Sequence, residues 1–209
     1  MDNEYLEKLV FLNTDKRLIE LRKKSKERDI PIIRDKSFNL LLTVVSMLKP
    51  NSILEIGTAN GCSGIGMLLE APNARLTGIE INEDIVAEAK KNLTDFSLGE
   101  RARFFVGDAN EIVPQLTGKY DFIFLDGPKG HYKQYLPYLM PLLSVGGVLF
   151  ADNVLFRGLV DGTQKGTKRN NTIVYSMRAF LEEVSKDERL KTTVLDIEDG
   201  VSISLKIKD

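Results

Sequence analysis

A chain of 209 residues with 43% hydrophobic and 28% charged content has the make-up of one soluble globular domain built around a single large core. Its 29 basic and 30 acidic residues leave a net charge of −1, so bulk charge argues neither for nor against nucleic acid. One cysteine, Cys62, excludes an intrachain disulfide, and one histidine, His131, excludes a His/Cys ligand cluster, so any metal here is held by oxygen.

The N-terminus, MDNEYLEKL, is acidic where a signal peptide is basic, and no run of about eighteen apolar residues exists to span a membrane. The expected address is cytoplasmic. From Tyr5 to Arg28 narrow apolar stripes (Leu6, Leu9, Val10, Leu18, Leu21), interrupted near Asn13-Thr14, predict two helices. The second carries Arg17, Arg22, Lys23, Lys24, Lys26 and Arg28, which reads first as a solvated face and second as a contact for phosphates. After Pro31, the run Phe38 to Leu48 predicts a further helix with a broad buried face, closing an N-terminal helical region, residues 1–48, ahead of a core at 49–209.

The core opens on Ile53-Leu54-Glu55-Ile56, which breaks into a loop with Gly57, Gly61 and Gly64 before a helix beginning near Ser63. Strand, glycine turn and helix is the opening of a doubly wound α/β sheet, where glycine admits a ligand close to the backbone and the helix N-terminus offers free N–H groups. Strands then follow at Arg75–Ile79, Ala102–Val106, Tyr120–Leu125 and Val148–Ala151, the last after a turn at Gly146-Gly147. Helices are predicted at about Asp84–Phe96, at a short stretch ending near Leu116, at Lys133–Leu143 and at Asn171–Val184. Between Phe156 and Asn171 the chain is glycine-rich and basic (Arg157, Lys165, Lys168, Arg169) without a period, the mark of a long loop. Thr192–Ile197 and Val201–Ile207, joined through Asp199-Gly200, predict a hairpin that ends a mostly parallel seven-stranded sheet on an antiparallel strand.

Five successive strands carry an acid at or near the C-terminal end: Glu55, Glu80, Asp108, Asp126 and Asp152. In an open parallel sheet those ends form one rim, where ligands bind. Such a rim repels a pyrophosphate and suits a cation. The glycine spacing lacks the full dinucleotide pattern, and no P-loop ending is present. S-adenosylmethionine, which carries a sulfonium and an ammonium but no phosphate, fits. Glu80, 23 residues after Gly57, is spaced to accept ribose hydroxyls, with Asp108 and Ala109 at the adenine and the loop from Gly57 to Ser63 at the methionine end.

Asp126 ends one strand and Asp152-Asn153 the next, so three oxygen ligands can converge. Carboxylate and amide oxygen select a hard cation such as Mg²⁺. Lys129 follows Asp126 by three residues; near a divalent cation and a sulfonium an ammonium is disfavoured, which makes it a candidate general base. His131 is the second choice.

At these residues the chain resembles the cation-dependent O-methyltransferases, the family of catechol and caffeoyl-CoA O-methyltransferases. The resemblance rests on Leu54-Glu55-Ile56-Gly57-Thr58, Gly61-Cys62-Ser63, Gly78-Ile79-Glu80, Gly107-Asp108-Ala109, Asp126-Gly127-Pro128-Lys129 and Asp152-Asn153-Val154. It implies that Glu55, Gly57, Ser63, Glu80, Asp108 and Ala109 contact S-adenosylmethionine, that Asp126, Asp152 and Asn153 bind Mg²⁺, and that Lys129 is the base. Asp126 thereby belongs to the reacting centre and borders the cofactor as well. A homodimer is also implied. More narrowly, Ile30-Pro31-Ile32, DGPKGHY from Asp126 and DNVLFRGLV from Asp152 look like the bacterial tRNA 5-hydroxyuridine methyltransferases, from whose pattern Gly127-Pro128 and His131 depart. The expected acceptor is 5-hydroxyuridine at the tRNA wobble position, gripped by the basic loop and the N-terminal basic helix; the alternative is a small phenolic acceptor. The late glutamate of catechol methyltransferases has no match in the C-terminal hairpin, which speaks against a catechol.

Overall fold

The computed structural model describes residues 9, 11, 14–165, 167 and 170–209. The first of the two predicted N-terminal helices, and Lys168 and Arg169 of the basic loop, lie outside the described residues. The second is α1 (Lys16–Glu27), started by Asp15, whose carboxylate accepts from the Arg17 N–H at 2.8 Å. The six basic side chains from Arg17 to Arg28 all face acids: Arg17–Asp15, Arg22–Asp35, Lys23–Glu27, Lys24–Glu20, Lys26–Asp35 and Arg28–Glu88. Arg22 is even buried, its guanidinium 3.9 Å from the centre of the Phe38 ring. The charge run is therefore a paired face, and the reading as a phosphate contact loses its free cations.

Helix α2 (Asp35–Leu48) buries Phe38, Leu41, Leu42 and Val45 against α3 (Cys62–Glu70). Contact is close because Gly66 faces Phe38: a Cβ there would sit 2.7 Å from the ring. The sheet comprises β1 (Ser52–Ile56), β2 (Arg75–Glu80), β3 (Ala102–Val106), β4 (Tyr120–Leu125), β5 (Leu143–Asp152), β6 (Leu190–Leu195) and β7 (Val201–Lys206). Its order is β3-β2-β1-β4-β5-β7-β6, with β7 antiparallel to both neighbours. The order reverses between β1 and β4, which is the switch point at which such sheets bind ligands. Between the strands run α4 (Glu83–Asp95), the short α5 (Ala109–Ile112), α6 (Tyr132–Leu142) and α7 (Asn171–Lys186). The inner strands β1 and β4 are buried on both faces, as their continuous apolar runs require.

One boundary differs from expectation. Gly146-Gly147 does not end a turn but lies inside β5, which begins at Leu143. The pairing with β4 shifts register between Tyr120 and Phe122, and a Cβ on Gly147 would meet two backbone carbonyl oxygens at 2.9 Å. Glycine in a strand marks such a bulge as readily as it marks a turn. Among the described residues, no helix is long and apolar enough to cross a membrane.

Candidate active site

The tips of β1, β2 and β4 are tied together by backbone. Gly57 N–H donates to Ile79 O and Asp126 N–H to Ile56 O, both at 2.9 Å. Gly57 has φ +89°, and a Cβ would lie 2.4 Å from the Asp126 carbonyl oxygen, so no other residue fits between the two strand ends. Around this junction lies a cavity of about 370 Å³, walled by Gly57, Glu80, Asp108, Ala109, Asp126, Lys129 and Asn153 among others. Seven of the residues proposed from sequence thus meet at one opening.

Glu80 ends β2, and its carboxylate is held by three backbone donors: Ala59 at 3.1 Å on one oxygen, Ile81 and Asn82 at 2.9 and 3.1 Å on the other. Ala59 reaches it from a left-handed conformation, φ 45°. That strained position is braced by its neighbour Asn60, which is fully buried. The Asn60 side-chain amide donates to Ser25 Oγ at 2.8 Å and Glu88 Oε1 at 3.3 Å, and the Asn60 backbone carbonyl accepts from the Asn92 side chain at 3.0 Å. Asp108 caps α5 through the Asn110 N–H at 2.8 Å, and Asn110 in turn lies 2.7 Å from His131 Nδ1. His131 is thereby a fixed part of the wall.

Glu55 and Ser63 stand elsewhere. Glu55 is the penultimate residue of β1, not its tip, and is fully buried on the face toward α3, where the Ser63 hydroxyl donates to it. Neither lines the cavity. Burial pushes the Glu55 carboxyl up to about 8, and its second oxygen has no hydrogen-bond partner. The expectation of five acids on one rim is corrected to four: Glu55 is aligned with Phe124, two residues short of Asp126, and so lies below the rim inside the sheet.

On the other side, the register Leu125↔Ala151 continues into Asp126 and Asp152 as neighbours. The Tyr132 hydroxyl bridges the two strand ends, 3.1 Å from both Leu125 O and Asp152 O. Asp126 accepts from Lys129 Nζ at 3.0 Å. Asp152, 1% exposed, accepts from the Asn153 amide at 3.1 Å on one oxygen, while its other oxygen is buried without a partner. Burial, then the Asp126 charge, pushes the Asp152 carboxyl up to about 7, and burial raises Asp126 although Lys129 opposes it. Two facing, dehydrated carboxylates with an unmet oxygen are the donor set of a hard divalent cation, completed by the Asn153 amide. Among the described residues no three His, Cys, Asp or Glu side chains are grouped so as to hold a metal ion, so the set here is two acids and an amide. Asn153 sits at φ 59°, a left-handed position Asn tolerates.

The β6–β7 connection supports this tip from below. Val154 and Leu155 N–H groups donate to Gly200 O and Asp199 O, and the Asp199 carboxylate accepts from Arg157 N. The Asp-Gly signal thus closes a hairpin and also anchors the segment after Asn153. Sequence reasoning missed this, along with the Tyr132 bridge, the Asn60 brace and the apolar walls Pro31, Ile32, Ile81 and Tyr135. Pro31 and Ile32 left a signal only as part of the Ile30-Pro31-Ile32 motif, and Ile81 as an apolar residue just past a strand-end acid, which the structure leaves exposed.

Comparison with known proteins agrees with this geometry. A family model described as O-methyltransferase matches residues 7–207. Catechol O-methyltransferase of Sus scrofa is 38% identical over 148 residues, 65% of this chain and 77% of the relative. A Staphylococcus aureus structure, solved as a candidate caffeoyl-CoA O-methyltransferase, superposes with a TM-score of 0.88 at 29% identity, covering 98% of each chain. The O-methyltransferase TomG of Streptomyces achromogenes, solved with S-adenosylmethionine, shares the fold at a TM-score of 0.85 and 24% identity, over 99% of this chain and 96% of its own. The chain therefore belongs to the O-methyltransferase family that includes the catechol and caffeoyl-CoA enzymes, and is an S-adenosylmethionine-dependent O-methyltransferase.

Proposed function

We propose that this chain is a Mg²⁺-dependent O-methyltransferase whose acceptor presents two adjacent oxygens, and that the acceptor is 5-hydroxyuridine at the tRNA wobble position, converted to 5-methoxyuridine. The observation that carries the cation is the unmet, buried Asp152 oxygen beside Asp126, which itself lines the cavity. S-adenosylmethionine supplies the methyl group, and a divalent cation supplies the charge that acidifies a chelated hydroxyl. Asp126, Asp152 and Asn153 hold that cation. Lys129 Nζ, on the cavity wall beside Asp126, takes the acceptor's hydroxyl proton. Glu80, with its orientation set by three backbone N–H groups, receives the ribose hydroxyls; Asp108 and Ala109 border the adenine, with Ile81 as an apolar face. Gly57 lets the donor approach the backbone, and Glu55 with Ser63 supports that loop from behind.

An RNA acceptor is favoured by exposed Arg157 and Lys165 on the segment that follows Asn153; neither has a carboxylate partner among the described ion pairs. A small phenolic acceptor is the second reading, favoured by the 38% identity to the pig catechol enzyme. The proposal includes a cytoplasmic homodimer. Methylation of tRNA and of a catechol panel, assayed side by side, separates the two acceptors. Loss of 5-methoxyuridine from the tRNA of a strain lacking the protein supports the RNA reading. Unchanged 5-methoxyuridine, with no redundant enzyme, removes it.

A further inference from the structure

The opposite end of the sheet carries a second cleft. Between β3 and β4 the chain has only the four-residue α5 and one 3-10 turn, Val113–Gln115, too little to cover the lower half of the strands. A cleft of about 450 Å³ remains there, bordered by Arg75, Arg101, Arg103 and Lys119. Their hydrogen bonds go to neutral oxygens. Arg75 meets Glu100 O at 3.2 Å, Arg103 meets Thr77 Oγ1 at 3.0 Å, and Lys119 meets Pro141 O at 2.9 Å. Arg101 binds the carbonyls of Ala74, Leu68 and Ala71.

None of the four pairs with a carboxylate among the described residues, in contrast to the six basic residues from Arg17 to Arg28. The one acid on the lining, Glu100, offers Arg75 its backbone carbonyl. One step below the Leu76↔Ala102 pair, Arg75 begins β2 and Arg101 immediately precedes β3, a placement of like charges that costs stability unless something neutralises it. Tyr120, 4% exposed, lines the same cleft, and its hydroxyl has no hydrogen-bond partner. Guanidiniums without a carboxylate partner, lining the same cleft as a tyrosine with an unpaired hydroxyl, are the complement of an anion with several acceptor oxygens.

We propose that this cleft binds the phosphate group of a small phosphorylated ligand, about one strand length, roughly 20 Å, from the methyl-transfer site. The test is calorimetric titration of the full chain with inorganic pyrophosphate and with ribose 5-phosphate. A chelator is included so that no cation links either probe to Asp126 and Asp152. Saturable binding is expected with a dissociation constant of about 1 mM or tighter, weakened at least about tenfold in the Arg75→Gln/Arg103→Gln double variant. Tyr120→Phe, which keeps the ring in the core, weakens it by a smaller factor. Binding of both probes assigns recognition to the phosphate alone, and binding of ribose 5-phosphate only assigns it to a phosphorylated sugar. No saturation by either probe up to about 10 mM overturns the proposal, as does saturation that the double substitution leaves unchanged.

Discussion

The two halves of the acid-lined rim are built on opposite principles. On the β2–β3 side the protein satisfies its own acids: Glu80 accepts three backbone N–H groups, and Asp108 caps a helix. On the β4–β5 side Asp126 and Asp152 face each other with one oxygen unmet and only Lys129 and an amide for company. Satisfied acids are rigid acceptors for neutral hydroxyls, because their charge is spread over dipoles already in place. Under-satisfied buried acids are costly, and a cation repays that cost. Carboxylates at or just past the ends of neighbouring strands are thus fitted for two different tasks by their hydrogen-bond partners.

The comparison can be broken first at Lys129. Lys129→Met should lower methyl transfer by about 10²–10⁴-fold if its amine is the base, with cofactor affinity from calorimetry little changed. An equal loss of cofactor binding would move Lys129 to the other half of the rim. Asp152→Asn should lower Mg²⁺-supported methyl transfer by more than about 100-fold, since loss of even an outer supporting partner of a metal costs about 10–100-fold. In chelator, however, the variant should melt no lower than the parent, because an unpaired buried charge has been removed. A variant that loses activity and also melts lower would contradict the unmet-carboxylate reading.

Gly57→Ala sharpens the comparison at the seam between the halves. A methyl 2.4 Å from the Asp126 carbonyl, on a left-handed backbone, should cost about 2–4 kcal/mol in chemical denaturation. A loss below about 1 kcal/mol would mean that the strand tips yield, and that the rim is less rigid than described.

The halves should also differ in pH dependence. Asp152 has a folded-state value near 7, above its ordinary 3.8, so its contribution to stability is present at low pH and is lost as pH rises through about 7. Glu55, raised from 4.5 to about 8, acts in the same direction. Metal-free protein should therefore lose melting temperature between pH 5 and 8, and Mg²⁺ should restore part of it at pH 8 but little at pH 5. Equal stabilisation by Mg²⁺ at both values would dissociate the cation from these acids. The smallest effect is expected at Glu80→Gln, which should weaken S-adenosylmethionine binding about tenfold by calorimetry and leave the Mg²⁺ response intact.

Much of this was legible in the chain because it depends on local periodicity. Apolar runs of strand length and the Gly57 loop gave the doubly wound sheet, and the intervals from Gly57 to Glu80 and from Asp126 to Asp152 placed acids near strand ends. The Asp199-Gly200 turn gave the antiparallel finish. Where the reading failed, the deciding contact was distant. Glu55 is aligned with Phe124, two residues short of Asp126, and its burial at that depth depends on α3 and Ser63. Gly146-Gly147 is a bulge rather than a turn because β4 runs alongside. The basic run of α1 is neutralised partly by Asp35 and Glu88, on other helices.

By itself, then, the sequence determined the order of elements, the one ligand-bearing rim and the residue types on it, since side-chain period and turn chemistry act over a few residues. Only the tertiary structure decided which acids are satisfied and which are left wanting a cation, and which cations are free. Burial and pairing are properties of neighbours brought together by packing, and no interval along the chain encodes them.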